Sequence, residues 1–119
     1  MGTRVVNEQQ ATDRSPSGLP IRHLTSGAAG ATDLYAGEQW LQPGEAVVPH
    51  THDVEEILLF VAGEGEARIG EASILVGAGV TVHIPAGETH GFRNTGQAEL
   101  RLFVIFPGNA FAATDIVEG

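Results

Sequence analysis

Residues 49–56 read PHTHDVEE. His50 and His52 lie two positions apart, so in an extended chain both imidazoles leave the same face. Two imidazoles aimed at one point can share a divalent cation, and an anionic oxygen would strengthen the set. Three carboxylates follow, at Asp53, Glu55 and Glu56. If the chain stays extended, Glu56 shares the face of the two histidines while Asp53 and Glu55 face away. A turn inside this stretch would reset that register. The octet alone therefore leaves two readings open, a metal site and a solvated polar rim.

The spacing around the octet is more specific. Residues 44–63 read G-x5-H-x-H-x3-E-x6-G, and residues 79–94 read G-x5-P-x-G-x2-H-x3-N. The two patterns match, in order and without a gap, the signature motifs of the cupin superfamily. The chain resembles a small single-domain cupin, and the short segment 64–78 between the motifs is similar to that of compact microbial members. The resemblance implies an all-β fold, a double-stranded β-helix or jelly-roll barrel of the RmlC-like kind. It implies four metal ligands, His50, His52, Glu56 and His90. It also implies one divalent transition metal ion per subunit, drawn from Fe, Mn, Ni, Zn, Co and Cu. Three imidazoles and one carboxylate leave about two octahedral positions open, unlike a closed structural zinc site. Related small cupins commonly dimerise. A homodimer is expected, with the N-terminal tail and first strand as candidate contacts.

Such ligands need a rigid frame, and the rest of the sequence reads as one. Short apolar segments alternate with Gly, Pro and Asn punctuation, which predicts strands. They fall at 19–25, 32–41, 45–50, 55–62, 65–69, 72–76, 80–84, 89–93 and 98–106. The segments 55–62 and 98–106 are apolar on both faces and are predicted as central strands. Gly70–Glu71 suits a tight hairpin with Gly70 at positive φ. Gly44, Gly63, Gly79 and Gly87 suit sharp turns, and Asn94 suits a side-chain bond to backbone in the turn that follows it. No segment shows a capped helical stripe. Residues 1–18 are polar without a period and read as an extended tail, 19–110 as the barrel, and 111–119 as a second tail.

Other residues divide by parity. Val80, Val82 and Ile84 share one face of their strand, which turns His83 away from the core and out of the ligand set. His23 reads as edge or interface packing. Asp53 and Glu55 read as solvated, with a partnership to an imidazole N–H as the alternative. Leu58 and Phe60 share the parity of Glu56. With Tyr35, Trp40, Phe92 and Phe103 they form the candidate pocket wall. Gln39, Arg68, Arg93 and Arg101 are the polar candidates for holding a substrate.

The composition narrows the function. The 119 residues suffice for one domain. No cysteine is present, which excludes disulfides, thiolate ligands, a cysteine nucleophile and a thioether crosslink to tyrosine. The net charge of −9 opposes nucleic acid and anionic membrane as partners. No apolar run is long enough for a membrane span, no secretory signal precedes the barrel, and a cytoplasmic location is expected. The function expected is that of a metal-dependent enzyme on a small organic molecule bound in the barrel. Its chemistry would be dioxygenase-like or of a non-redox isomerase, cyclase or lyase type. The alternative is a binding protein for a small carboxylate or sugar without turnover.

Overall fold

The structure, a computed structural model, describes residues 2–117. Eleven strands run in chain order. They are β1 (Thr12–Arg14), β2 (Pro20–Thr25), β3 (Leu34–Leu41), β4 (Ala46–Thr51), β5 (Glu56–Ala62) and β6 (Glu64–Ile69). After them come β7 (Ala72–Gly77), β8 (Val80–Ile84), β9 (His90–Asn94), β10 (Leu100–Pro107) and β11 (Asp115–Ile116). Two short 3-10 turns at Asn7–Gln9 and Gly27–Ala29 are the helical segments among the described residues. None is long or apolar enough to cross a membrane.

The strands form two antiparallel sheets, in the orders β1-β2-β3-β10-β5-β8 and β11-β4-β9-β6-β7. Their inner faces meet over one apolar core that includes Leu41, Leu58, Phe60, Ala67, Val82, Phe92, Leu102 and Phe106. This is the jelly-roll barrel. The alternation along β5 and β10 explains it: Leu58 and Phe60, like Leu100, Leu102, Val104 and Phe106, are buried on one parity. Both strands lie inside the larger sheet, each with neighbours on two sides, as their two-faced apolar pattern predicts.

Two turn regions set the position of the site. Gly87 takes φ +80 in the turn between β8 and β9, and its N–H donates to the His52 carbonyl at 2.8 Å. That bond ties the start of β9 to the end of β4. Gly91 sits where β4 bulges between Val47 and His50, and a Cβ there would lie 2.7 Å from the Val47 carbonyl oxygen. Only glycine lets the two backbones come this close.

Both end segments depart from their reading as tails. β1 pairs with β2, and β11 pairs with β4, placing Ile116 opposite His50. These strands are short and solvent-exposed along their length. They bury no alternating apolar set, so they leave no period in the sequence.

Asn94 closes the turn after β9. Its amide donates to the carbonyls of Leu41 and Ala98 at 2.9 and 2.8 Å, and its Oδ1 accepts from Gly96 N–H at 2.9 Å. The side chain is buried, so removal strands polar backbone groups away from water. Asn94→Ala is expected to lower stability by about 3 kcal/mol, measured by urea unfolding. A loss within experimental error of zero would show that water replaces those bonds.

Candidate metal centre

His50 lies near the end of β4, Glu56 opens β5 and His90 opens β9. His50 and His90 are direct cross-strand partners, and His52 follows just beyond β4. One nitrogen from each histidine and one Glu56 oxygen lie within 4.8 Å of one another. All four residues are buried, none more than 5% exposed. Glu56 is the inward carboxylate, but the chain turns between β4 and β5 and the two strands lie in different sheets, so the face it takes is set by β5 and not by an extended run from His50.

The outer nitrogens decide what the inner ones can do. His50 Nδ1 lies 2.8 Å from the Val48 carbonyl, His52 Nδ1 3.0 Å from the Ala113 carbonyl, and His90 Nδ1 2.9 Å from the Glu88 carbonyl. A carbonyl oxygen only accepts, so each Nδ1 carries the proton. In the neutral ring each Nε2 is then a bare lone pair. His50 Nε2 and His52 Nε2 face each other at 3.1 Å, and His90 Nε2 lies 2.7 Å from Glu56 Oε1. Glu56 Oε1 lies 3.7 Å from His52 Nε2. Lone pairs this close repel unless a cation, either a proton or a metal ion, sits among them. Three imidazole nitrogens and one carboxylate suit a borderline divalent transition metal. The residues present fit such an ion.

Protonation separates the histidines. Burial is the strongest influence on His50 and brings its pKa from 6.5 down to about 4. Burial also pulls His90 downward, but its hydrogen bonds to Glu56 and the Glu88 carbonyl, with the carboxylate charges, outweigh it and raise the pKa. The His90–Glu56 pair is thus the place where a proton competes with a metal.

The site opens on a cavity lined by Gln39, Val47, His50, Glu56 and Phe92. Its mouth is covered by Ser15–Ser17 from one end of the chain and by Phe111 and Thr114 from the other. The free volume is about 10 Å³, room for about one water. A larger molecule needs more room than this, and the two covering segments are the irregular parts of the lining. They are held differently. The Ser15–Ser17 segment is attached to β4 by the Val48 N–H bond to Ser17 Oγ at 3.1 Å. The other segment bonds a candidate ligand directly, through Ala113, and Thr114 Oγ1 lies 3.3 Å from the same His52 Nδ1. Phe111 also packs edge-on against His52 and Phe106.

The remaining expected residues are scattered. Of the six proposed wall residues, Phe92 lines this cavity. Tyr35, Leu58 and Phe60 belong to the buried core. Trp40 and Phe103 take the parity opposite to Gln39 and Leu102 and lie on the outer face of the larger sheet, which corrects their placement as wall. Arg22 covers Trp40 at 4.8 Å and Arg101 covers Phe103 at 5.4 Å. Arg22 and Arg101 both bond Glu38, buried between them on that outer face. Arg68 and Arg93 line a separate groove outside the smaller sheet. Gln39 alone of the four polar candidates lines the metal cavity.

His83 bonds Glu55 at the surface at 2.7 Å, away from the ligands, so Glu55 supports none of the three imidazoles. Asp53 is exposed. His23 lies between Asp13 and the Tyr35 hydroxyl. The partners of the ligand imidazoles are backbone carbonyls, which no side-chain motif reports. Ser15–Ser17, Phe111 and Thr114 lie in aperiodic end segments and carry no sequence signal.

The family model for the Cupin domain matches residues 37–106, more than half of the chain. The chain belongs to the cupin family. Among curated relatives, this cupin is 36% identical over 80 residues to Protein SchB of Streptomyces halstedii, covering 66% of this chain and 58% of that protein. The chain thus spans little more than half of SchB. It is 31% identical over 104 residues to Polyketide synthase CurC of Streptomyces cyaneus, covering 86% of this chain and 68% of CurC. Among solved structures, the polyketide cyclase RemF of Streptomyces resistomycificus superposes with a TM-score of 0.85 at 24% identity, covering 100% of this cupin and 87% of RemF.

The His50 environment gives a pH dependence. Between pH 4 and 6.5 the unfolded chain protonates His50 while the folded chain does not. The metal-free protein therefore gains stability as pH rises through that window. The raised His90 adds no slope there, because both folded and unfolded forms hold its proton. Thermal unfolding of the metal-free protein across this window is expected to show the rise, and His50→Leu is expected to flatten it. An equal slope in the variant would assign the dependence to other groups.

Proposed function

We propose that this cupin is a metal-dependent enzyme of the non-redox cyclase type, acting on a small oxygen-rich molecule. The observation that carries the proposal is the convergence of three imidazole Nε2 atoms, each with its Nδ1 held by a backbone carbonyl, and the Glu56 carboxylate on one buried cavity. A divalent metal ion held by His50, His52, Glu56 and His90 would supply Lewis acidity toward a carbonyl oxygen. One carboxylate among three neutral imidazoles leaves a dication undercompensated, so the site attracts carbonyl and enol oxygens. Val47, Phe92 and Phe111 make the surrounding wall apolar, which excludes water and strengthens polar interactions inside. The covering segments would close over a bound molecule.

Cyclisation needs no external oxidant. One carbon gives up a proton, a carbon–carbon bond forms to a carbonyl carbon, and the carbonyl oxygen takes up a proton. CurC is named a polyketide synthase, and that likeness supports a polyketide as the molecule acted on.

The test begins with metal analysis of protein purified without chelators, followed by anaerobic loading with Zn(II) or Mn(II) and incubation with linear poly-β-ketones. Cyclised product without O2 is expected, and His52→Ala or His90→Ala is expected to abolish both metal retention and turnover. O2 uptake with an Fe(II)-loaded protein and a diketone would instead establish an oxygenase. Stoichiometric binding without change across diketones, phenols, hydroxy acids and sugars would establish a binding protein.

A homodimer is proposed as well. Its support is the outer face of the larger sheet, where Trp40, Ile57, Leu59, Phe103 and Ile105 are half-buried and Val61 is 43% exposed. Light scattering at micromolar concentration is expected to give twice the subunit mass, and a single-subunit mass would exclude the dimer.

A further inference from the structure

Gln39 is 5% exposed, and its side chain points from the inner face of β3 into the cavity that His50 and Glu56 also line. Among the described residues, no protein group bonds its carboxamide, whereas buried Asn94 has its amide and carbonyl engaged. Its polar atoms are not sealed from solvent, so the carboxamide stays free to bond whatever enters the cavity. The carboxamide offers both a donor and an acceptor. The rest of the wall beyond the candidate ligands is Val47, Phe92 and Phe111, with the hydroxyl-bearing Ser15, Ser17 and Thr114 at the mouth.

The cations are all elsewhere. The chain has six Arg and Lys residues, all of them arginine. Arg22 and Arg101 are tied to Glu38 outside the larger sheet. Arg68 and Arg93 border the outer groove of the smaller sheet. Arg14 reaches the Gly18 carbonyl at 2.6 Å at the surface, and Arg4 is exposed in the N-terminal segment. No arginine lines the metal cavity. With the ion's charge already partly offset by Glu56, a free dicarboxylate or phosphate would find no guanidinium for its remaining charge, whereas a neutral ketone or hydroxyl finds an amide.

We infer that Gln39 is the substrate-binding residue of this cavity, and that the ligand it selects is an uncharged molecule with adjacent ketone, enol or hydroxyl oxygens. One oxygen reaches the metal position and a neighbouring one exchanges a hydrogen bond with the Gln39 carboxamide. The inference rests on the metal-site reading above and adds to it the residue and the substrate class.

Acetylacetone, uncharged in free solution and giving up one proton as it chelates, and malonate, a dianion, carry the same 1,3-dicarbonyl spacing. Both are titrated into Co(II)-loaded protein, with metal content measured separately and the cobalt absorption spectrum as the readout. Relative to their affinities for free Co(II), acetylacetone is expected to be favoured over malonate about tenfold. Gln39→Leu and Gln39→Met are both expected to weaken acetylacetone about tenfold, equivalent to about 1.4 kcal/mol, with metal content unchanged. Unchanged metal content with acetylacetone affinity within twofold of wild type, in whichever variant folds, overturns the role of Gln39. A relative preference for malonate overturns the uncharged class. Failure of the wild-type protein to retain any metal overturns the metal-site reading itself, and this inference with it.

Discussion

Three hydrogen bonds from imidazole Nδ1 to backbone carbonyls govern the whole site. Each fixes a ring tautomer and a ring direction together, so the inner nitrogens present lone pairs to one point. The arrangement is costly to leave without a cation, since His50 and His52 would face each other lone pair to lone pair. The barrel supplies the stiffness that holds it. Val48 belongs to the bulged part of β4 and Glu88 to the turn before β9, while Ala113 comes from the segment leading into β11. The fold matters to the chemistry because it places three carbonyls, more than because it places three histidines.

Strand parity then separates two environments across a single sheet. On β3, Gln39 faces the cavity while its neighbours Glu38 and Trp40 face outward. On β10, Leu102 and Val104 pack the core while Arg101 and Phe103 join the outer network. Charge and aromatic area are concentrated outside, and the cavity keeps an amide among apolar walls. Beyond the four candidate ligands, the polarity that remains inside is thus available to a bound molecule.

Most of the frame was readable in the sequence because burial leaves a period. The two-residue alternation in β5 and β10 marks the central strands, and the resemblance of the two motifs to those of cupins implies Glu56 and His90 as companions of His50 and His52. What was not readable left no such trace. Trp40 and Phe103 look like wall because aromatic residues suit a pocket, and only sheet register shows which side they take. Phe111, Ala113 and Thr114 lie in an irregular segment whose value comes from one carbonyl and one hydroxyl near His52. Backbone carbonyls carry no residue identity, so a ligand's partner of this kind is invisible until the chain is folded.

The Ala113 contact orders events in time. During synthesis, His50, His52, Glu56 and His90 leave the ribosome before residue 113, and β11 cannot pair with β4 until later still. Until residue 113 is in place its carbonyl cannot hold His52 Nδ1, so His52 is the last of the three imidazoles to be oriented.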